Sequence, residues 1–491
     1  MIAIRKKQTL FDYVYQNLRE QIITGRLQYG VKLPSMTCLC DFYHVGIRTV
    51  KDVLRTLKEE GYIKTEERKA AVVIYRQQKT DEAIRSVLTK KKVILEVYQT
   101  LTTLMPWIFA FSAQFCDKAK LKLILENIEQ LRDKEKKMPG VSFLNPLYEL
   151  LDRSNNLLFR DLFANLEIYA RMPFFQRYSR YLELITVHNQ FRDVSWVLES
   201  LMLENQEEVV SRFRLMFQTV EDAIRDHLEE MSREFGEIEE TEEAFFQWKA
   251  ETGRDHYYMQ ITRDLIDKIS VGIYKEGSFL PSEAELASQY QVCISTIRNA
   301  LSVLNELGFG KTLNAKGTMV LLQTDADAFR CMKNKTYKKD TLMYLSGLQL
   351  MAIAIRPAAR QAFDHISIET AKDLREKVRE SHGIPLGCIV TCVIDHQSLS
   401  PLKTILEETA KFLNWGYYFS FFSKGPESEA LLAELSEKAV DYLIKGEADS
   451  FADILSHSYC HILDLVRDFL AECGLPEAGK ILTPQIQFYK I

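Results

Sequence analysis

LPSEAELASQYQVCISTIRNAL, residues 280–301, and LPSMTCLCDFYHVGIRTVKDVL, residues 33–54, share one frame under different letters. Both open on Leu-Pro-Ser, both place Val twelve positions after the Leu, and both place Thr four positions beyond that. Leu33 and Leu280 lie 247 residues apart in a chain of 491, about half its length. A tandem duplication accounts for that spacing most simply.

Outward from these stretches the offset of 247 persists. Leu10, Val14, Leu18 and Ile22 in the first copy, and Tyr257, Ile261, Leu265 and Ile269 in the second, recur every fourth residue. That row predicts a helix with one buried face. Gly25 and Gly272 stop these helices, and Gly30 and Gly277 lead through a turn to Leu-Pro-Ser. Ser282 is placed as N-cap of the next helix, and Glu285 completes a capping box with it. Leu286, Tyr290 and Val292 are expected to bury one face. The first copy keeps Ser35 as cap but has Cys38 where Glu285 stands. A third helix carries Ile297, Leu301 and Leu304 in one copy, and Val50, Leu54 and Leu57 in the other, before Gly308 and Gly61. Short strand-like runs at 64–65 and 72–75, and at 311–313 and 318–322, close each unit. Three helices and a two-stranded ribbon make a winged helix-turn-helix.

Residues 8–76 and 254–323 both resemble the GntR-type winged-helix DNA-binding domain. The second copy carries LPSE at 280–283, Thr296-Ile297-Arg298, Ala300-Leu301, Leu304, Gly308, Lys316-Gly317-Thr318 and Val320. The first carries Leu-Pro-Ser, Val45, Thr49-Val50-Lys51, Leu54, Leu57, Glu60 and Gly61. The resemblance implies a recognition helix in the major groove of double-stranded operator DNA. Arg298 occupies the family's base-reading Arg position, where a guanidinium can hold guanine O6 and N7, and Lys51 is its counterpart. Ser35, Thr49, Ser282, Ser295 and Thr296 are expected on phosphates. Arg48 and Arg55 extend the basic face of the first recognition helix. Arg68 and Lys69, and Lys311, Lys316 and Gly317, are expected on or beside the two wings.

The copies depart from the family pattern in one shared way. Its Val-Ser-Arg lead-in reads Val45-Gly46-Ile47 and Val292-Cys293-Ile294, so both copies have Ile in the Arg position. Residues 1–79 hold fifteen Lys or Arg against eight Asp or Glu, whereas residues 254–323 hold seven of each, in a chain of net charge −5. Phosphate neutralisation sets nonspecific affinity, so the first copy is expected to supply more of the salt-dependent binding.

Each head precedes a long stretch, 80–235 or 325–491, that reads as helices. Val194, Val197, Leu198 and Leu201 fall at i, i+3, i+4 and i+7, predicting an amphipathic helix. VYQTLTTLMPWIFAFSAQF (97–115) is broken by Gln99, Thr residues and Pro106, and reads as a buried core helix rather than a membrane span. The Glu-rich run EEMSREFGEIEETEEAFFQWKAE (229–251) reads as a solvated helix end plus linker between the halves. Both helical stretches resemble the FCD type of effector domain, through LYELLDRSNNLL (147–158) and LIKGEADSFADILSH (443–457). That resemblance implies dimerisation and a small-molecule effector. Its metal site uses an Asp and three His, but Tyr148 stands where the first His would fall in the first stretch. The second offers Asp395, His396, His457 and His461, and no metal or other cofactor is expected.

Nine scattered cysteines without a CxxC pair, and no apolar run after the basic N-terminal residues, point to a reduced, cytoplasmic protein. No Gly-rich phosphate loop, nucleophile elbow or His-Glu-x-x-His motif suggests an enzyme. The expected fold is mainly α: two winged helix-turn-helix domains, each followed by an all-helical bundle. The expected function is that of a transcription regulator acting as a covalent pseudo-dimer or a homo-oligomer. The alternative is an interaction protein whose winged helices no longer read DNA.

Overall fold

A computed structural model describes most of residues 11–75, 84–126, 145–170, 194–238, 245–248, 257–321, 335–380, 385–413 and 426–484. The chain divides into two compact units. One takes in Arg5–Leu150 and Phe163–Gln247, the other Leu151–Leu162 and Trp248–Ile491.

The N-terminal unit begins with a winged helix. Val14, Leu18 and Ile22 of its first helix are buried against helices α1 (Met36–Tyr43) and α2 (Ile47–Glu59). Leu10 lies outside the described residues. After α2, Tyr62 N–H donates to Leu57 O and Gly61 N–H to Lys58 O. This closure needs a left-handed residue at the helix end, and Gly61 supplies it at φ +79°. Strands β1 (Ile63–Lys64) and β2 (Val72–Val73) pair antiparallel; β1 starts one residue before the expected 64–65, and β2 covers only the first half of 72–75.

Its bundle is built on α3 (Lys91–Ala113), which packs along the final long helix of the unit. Between them in sequence come α4 (Asn145–Arg153), α5 (Phe159–Tyr169) and α6 (Val194–Glu199), and the last is α7 (Gln206–Phe235). Phe109 stacks on Phe213 at 4.8 Å and meets Phe163 edge-on at 5.3 Å. The run from Val194 is not one helix. After α6 it tightens into a 3-10 turn at Ser200–Met202, and Asn205 then caps α7 by accepting from Glu208 N–H. A good N-cap residue ends the earlier helix by starting a new one. Val197, Leu198 and Leu201 are nonetheless buried as expected.

The C-terminal unit repeats the head with α8 (Tyr257–Ser270), α9 (Glu283–Tyr290), α10 (Ile294–Glu306), β3 (Gly310–Leu313) and β4 (Gly317–Val320). Ile63 pairs with Val73 and Gly310 with Val320, and the bridges Lys32–Val72 and Phe279–Met319 also match. Each of these positions is related to its counterpart by 247, so the duplication preserves register as well as pattern. Ile261, Leu265 and Ile269 of the expected row are buried, joined by Met259, Thr262 and Ile266, but Tyr257 departs from expectation and is exposed. A strict four-residue step drifts around a helix of about 3.6 residues per turn, so its first member leaves the core face.

The second bundle comprises α11 (Lys335–Phe363), α12 (Ile368–Glu380), α13 (Leu386–Asp395), α14 (Ser400–Leu413), α15 (Pro426–Lys445) and α16 (Ala448–Glu472). Helix α11 packs most extensively on α16, where Ser456 Oγ–H donates to Ala352 O and Arg356 pairs with Asp453. The head is tied to this bundle by Arg263 of α8, whose Nη2 lies 2.9 Å from both carboxylate oxygens of Asp340 on α11. Both side chains are nearly buried.

By length and composition, α3 and the 338–363 portion of α11 could cross a membrane, but 67% and 89% of their apolar windows are buried inside the protein. They serve as core helices. Pro106 and Pro357 lie inside them. The Glu-rich run is only partly a solvated linker. Helix α7 does end at Phe235 with Gly236 at φ +77°, yet Phe246 and Trp248 are buried. Phe246 packs on Tyr169, and Trp248 Nε1–H donates to Asp161. Aromatic surface overrides a local bias toward solvent. The turn between α4 and α5 is also built in: Asn156 Nδ2 donates to Ser346 O and Gln349 Oε1, at 2.9 and 2.8 Å.

Candidate nucleic-acid interface

Helix α9, which precedes the second recognition helix, starts in a complete capping box. Glu285 N–H donates to Ser282 Oγ at 3.3 Å, and Ser282 N–H donates back to the Glu285 carboxylate at 2.8 Å. The Ser282 hydroxyl also donates to that carboxylate, and these bonds hold the carboxyl below its usual range. Gln291 in the left-handed conformation ends α9, and Cys293 then starts α10. Ile297, Ala300, Leu301 and Leu304 face the core, which leaves Ser295 and Arg298 outward. In the first head Ser35 Oγ accepts from Cys38 N–H at 3.2 Å, the cap without its reciprocal half. Val50, Val53 and Leu57 face inward, so Arg48, Lys51 and Arg55 project into solvent on α2.

Arg48, Thr49 and Lys51 thus share the first turn and a half of α2, with Thr49 half-buried. Among the described residues Lys51 has no ion-pair partner, whereas Arg55 lies 3.0 Å from Asp52 and 3.9 Å from Glu59. Arg68 and Lys69 lie outside the described residues. In the second head the hydroxyls of Ser295 and Thr296 sit 3.1 Å from the Cys293 thiol and, with Ser295 first, bring its pKa down to about 7. Lys311 and Lys316 are exposed on the wing, and Gly317 opens β4 at φ +101°. The wing is fixed to the recognition helix: Asn305 Nδ2 donates to Thr312 Oγ1, which lies 2.9 Å from Thr318 Oγ1. Gly310 sits so close that an added Cβ would lie 2.9 Å from Asn305 Oδ1.

One partner was not anticipated. Arg298 Nε donates to Glu283 Oε2 at 2.7 Å, so the main base-reading candidate is held by an acid from its own head. Position 36, equivalent to 283, is Met, and Lys51 has no such restraint. Both letters stand in the quoted motif, but only the crossing of α9 and α10 brings residues fifteen apart together. The first head is therefore more basic, and its recognition-helix cation is also the less neutralised.

The metal-ligand pattern does not assemble. Among the described residues no three or more His, Cys, Asp and Glu side chains are placed to hold an ion. His396 caps α13 with its ring against Cys392 O, while His457 and His461 lie on α16. The eight described cysteines are free thiols.

The family described as "Bacterial regulatory proteins, gntR family" matches residues 10–73 and 257–320. Both heads are thus similar to that family's domain. Similar curated proteins include the HTH-type transcriptional regulator TreR of Bacillus subtilis (strain 168), 36% identical over 64 residues. A probable fructoselysine utilization operon transcriptional repressor of Escherichia coli (strain K12) is 39% identical over 66 residues. Each match covers 13% of this chain and 27% of the relative, so the chain spans about a quarter of the length of the curated relatives it matches. A solved structure described as "Streptococcus agalactiae GntR" aligns with 42% of this chain and 99% of its own, at 14% identity and a TM-score of 0.21.

Proposed function

We propose that the chain is a cytoplasmic, DNA-binding transcriptional regulator of the GntR type, and not an enzyme. The observation that carries this reading is the pair of GntR-type heads, each with an outward-facing recognition helix and a wing. The relatives named above carry the names of regulators or repressors. In this reading Lys51 and Arg298 face base edges, while Thr49, Ser295, Thr296 and the wing lysines position the heads on phosphates. The two heads occupy unlike half-sites as a covalent pseudo-dimer, which favours an asymmetric operator. The head with the unneutralised Lys51 contributes more of the salt-dependent affinity. The helical bundles respond to a small-molecule effector, and the buried Arg263–Asp340 pair gives one bundle a rigid grip on its head.

Binding of the full-length chain to random genomic fragments, read by gel shift at low salt, tests this directly. Saturable binding that weakens steeply with salt is expected, and no binding would refute it. Light scattering tests the pseudo-dimer: a single chain on one operator is expected, and a tight dimer on a four-part site refutes that arrangement. A second reading, an interaction protein, is favoured by the exposed Ile47 and Ile294 on the recognition helices, and it predicts no saturable DNA binding.

A further inference from the structure

Ile47 and Ile294 are the first residues of α2 and α10, and they occupy the same place in the two heads. They are 52% and 43% exposed, whereas Val50 and Ile297, three positions on, are fully buried. The helices therefore enter the core one turn later, and the isoleucines stand out from it. Packing does not require an aliphatic side chain there. Their surroundings are polar or basic: Arg48 and Lys51 in one head, Ser295, Thr296 and Arg298 in the other. Many residues differ between the copies, including the caps Gly46 and Cys293, yet both keep this isoleucine. A β-branched side chain on a helix has one strongly preferred rotamer, so each forms a stiff apolar knob.

We infer that Ile47 and Ile294 are specificity determinants, each reading the 5-methyl group of a thymine in the major groove. The inference rests on the DNA-binding reading above. Isoleucine has no donor or acceptor, so it cannot read guanine, adenine or cytosine by hydrogen bonds. The thymine methyl is the one apolar group that the natural base pairs present in that groove. The N-terminal turn of a recognition helix is the part that meets base edges. Flanking Lys51 or Arg298 can hold an adjacent purine while the isoleucine covers the methyl. Each half-site then requires thymine at one fixed position beside the cation's contact.

The test uses the full-length chain and a duplex of about 30 base pairs, selected by that chain from a randomised pool. Each thymine is replaced in turn by deoxyuridine, which removes only the methyl group. At one thymine in each half-site binding is expected to weaken about fourfold, the value of one methyl-sized group removed from water. Ile47→Ala should abolish that sensitivity in one half-site, and Ile294→Ala in the other. Both positions are exposed and Ala favours helix, so the heads should remain folded, which a melting curve checks. Tolerance of uridine at every position by the wild-type chain overturns the inference, and so does sensitivity that survives both substitutions. Failure to bind any duplex overturns it together with the regulator reading. Binding with full uridine tolerance overturns it alone.

Discussion

Replacing Glu283 by Gln should strengthen DNA binding through the second head. In the free protein the Arg298 guanidinium is committed to the Glu283 carboxylate at 2.7 Å. The side chains are 67% and 41% exposed, so water and salt screen the pair. Exposed ion pairs of this kind are worth about 0.2–1 kcal/mol. Arg298 must give up that amount to reach DNA, and removing the carboxylate returns it as an affinity gain of about 1.4- to 5-fold. A second consequence is separable from the first. If the freed cation, besides reading its base edge, neutralises a neighbouring phosphate, the slope of log affinity against log salt steepens by about 0.9. Between 50 and 200 mM salt that adds roughly a 3.5-fold fall in affinity. Glu283 lies in the first turn of α9, so losing its charge costs the helix about 0.3–1 kcal/mol, but the Ser282–Glu285 capping box is untouched. Fluorescence anisotropy of the full chain on one duplex across a salt series reads both effects. A loss of affinity in E283Q would refute the reasoning, because Glu283 would then be a DNA contact, such as an acceptor for cytosine N4. An unchanged slope and affinity would place Arg298 away from DNA.

Three further outcomes are expected. Asp340→Asn removes one partner of the buried Arg263–Asp340 pair and should destabilise the C-terminal unit by roughly 3–5 kcal/mol in denaturant titration, whereas a surface role predicts under 1 kcal/mol. Asn156→Ala deletes the cap that accepts from Leu158 and Phe159 N–H and strands the Gln349 acceptor, costing roughly 2–4 kcal/mol, and a loss under 0.5 kcal/mol counts against it. Burial in α7 lowers His227 from 6.5 to about 4, so the unfolded chain takes up its proton first. Its contribution is complete above about pH 6.5 and is lost as pH falls toward 4, by roughly 3 kcal/mol. His227→Leu should flatten that part of the pH profile in urea unfolding, and an equal fall in wild type and variant would refute the assignment.

Much of the heads was legible because their determinants are local. The apolar spacing of α2 and α10, the Ser35 and Ser282 caps and the glycines before each wing are set by backbone geometry within a few residues. The bundles were less legible. A periodic row from Val194 hid the break that Asn205 imposes, and a Glu-rich run hid the buried Phe246 and Trp248. Periodicity reports which face could be buried, whereas aromatic packing and capping decide where a helix stops.

Two winged helices of the same register, and the cations each carries, follow from residue identity at fixed spacing. Helix packing sets how those cations are disposed. It pairs Arg298 with Glu283, leaves Lys51 with no ion-pair partner among the described residues, and fixes Arg263 to Asp340 across 77 residues. It also set Asn156 against Ser346 and Gln349, nearly two hundred residues away. The physical reason is range. Caps and turns act over three or four positions, but a charge's surroundings are set by whichever helices cross beside it.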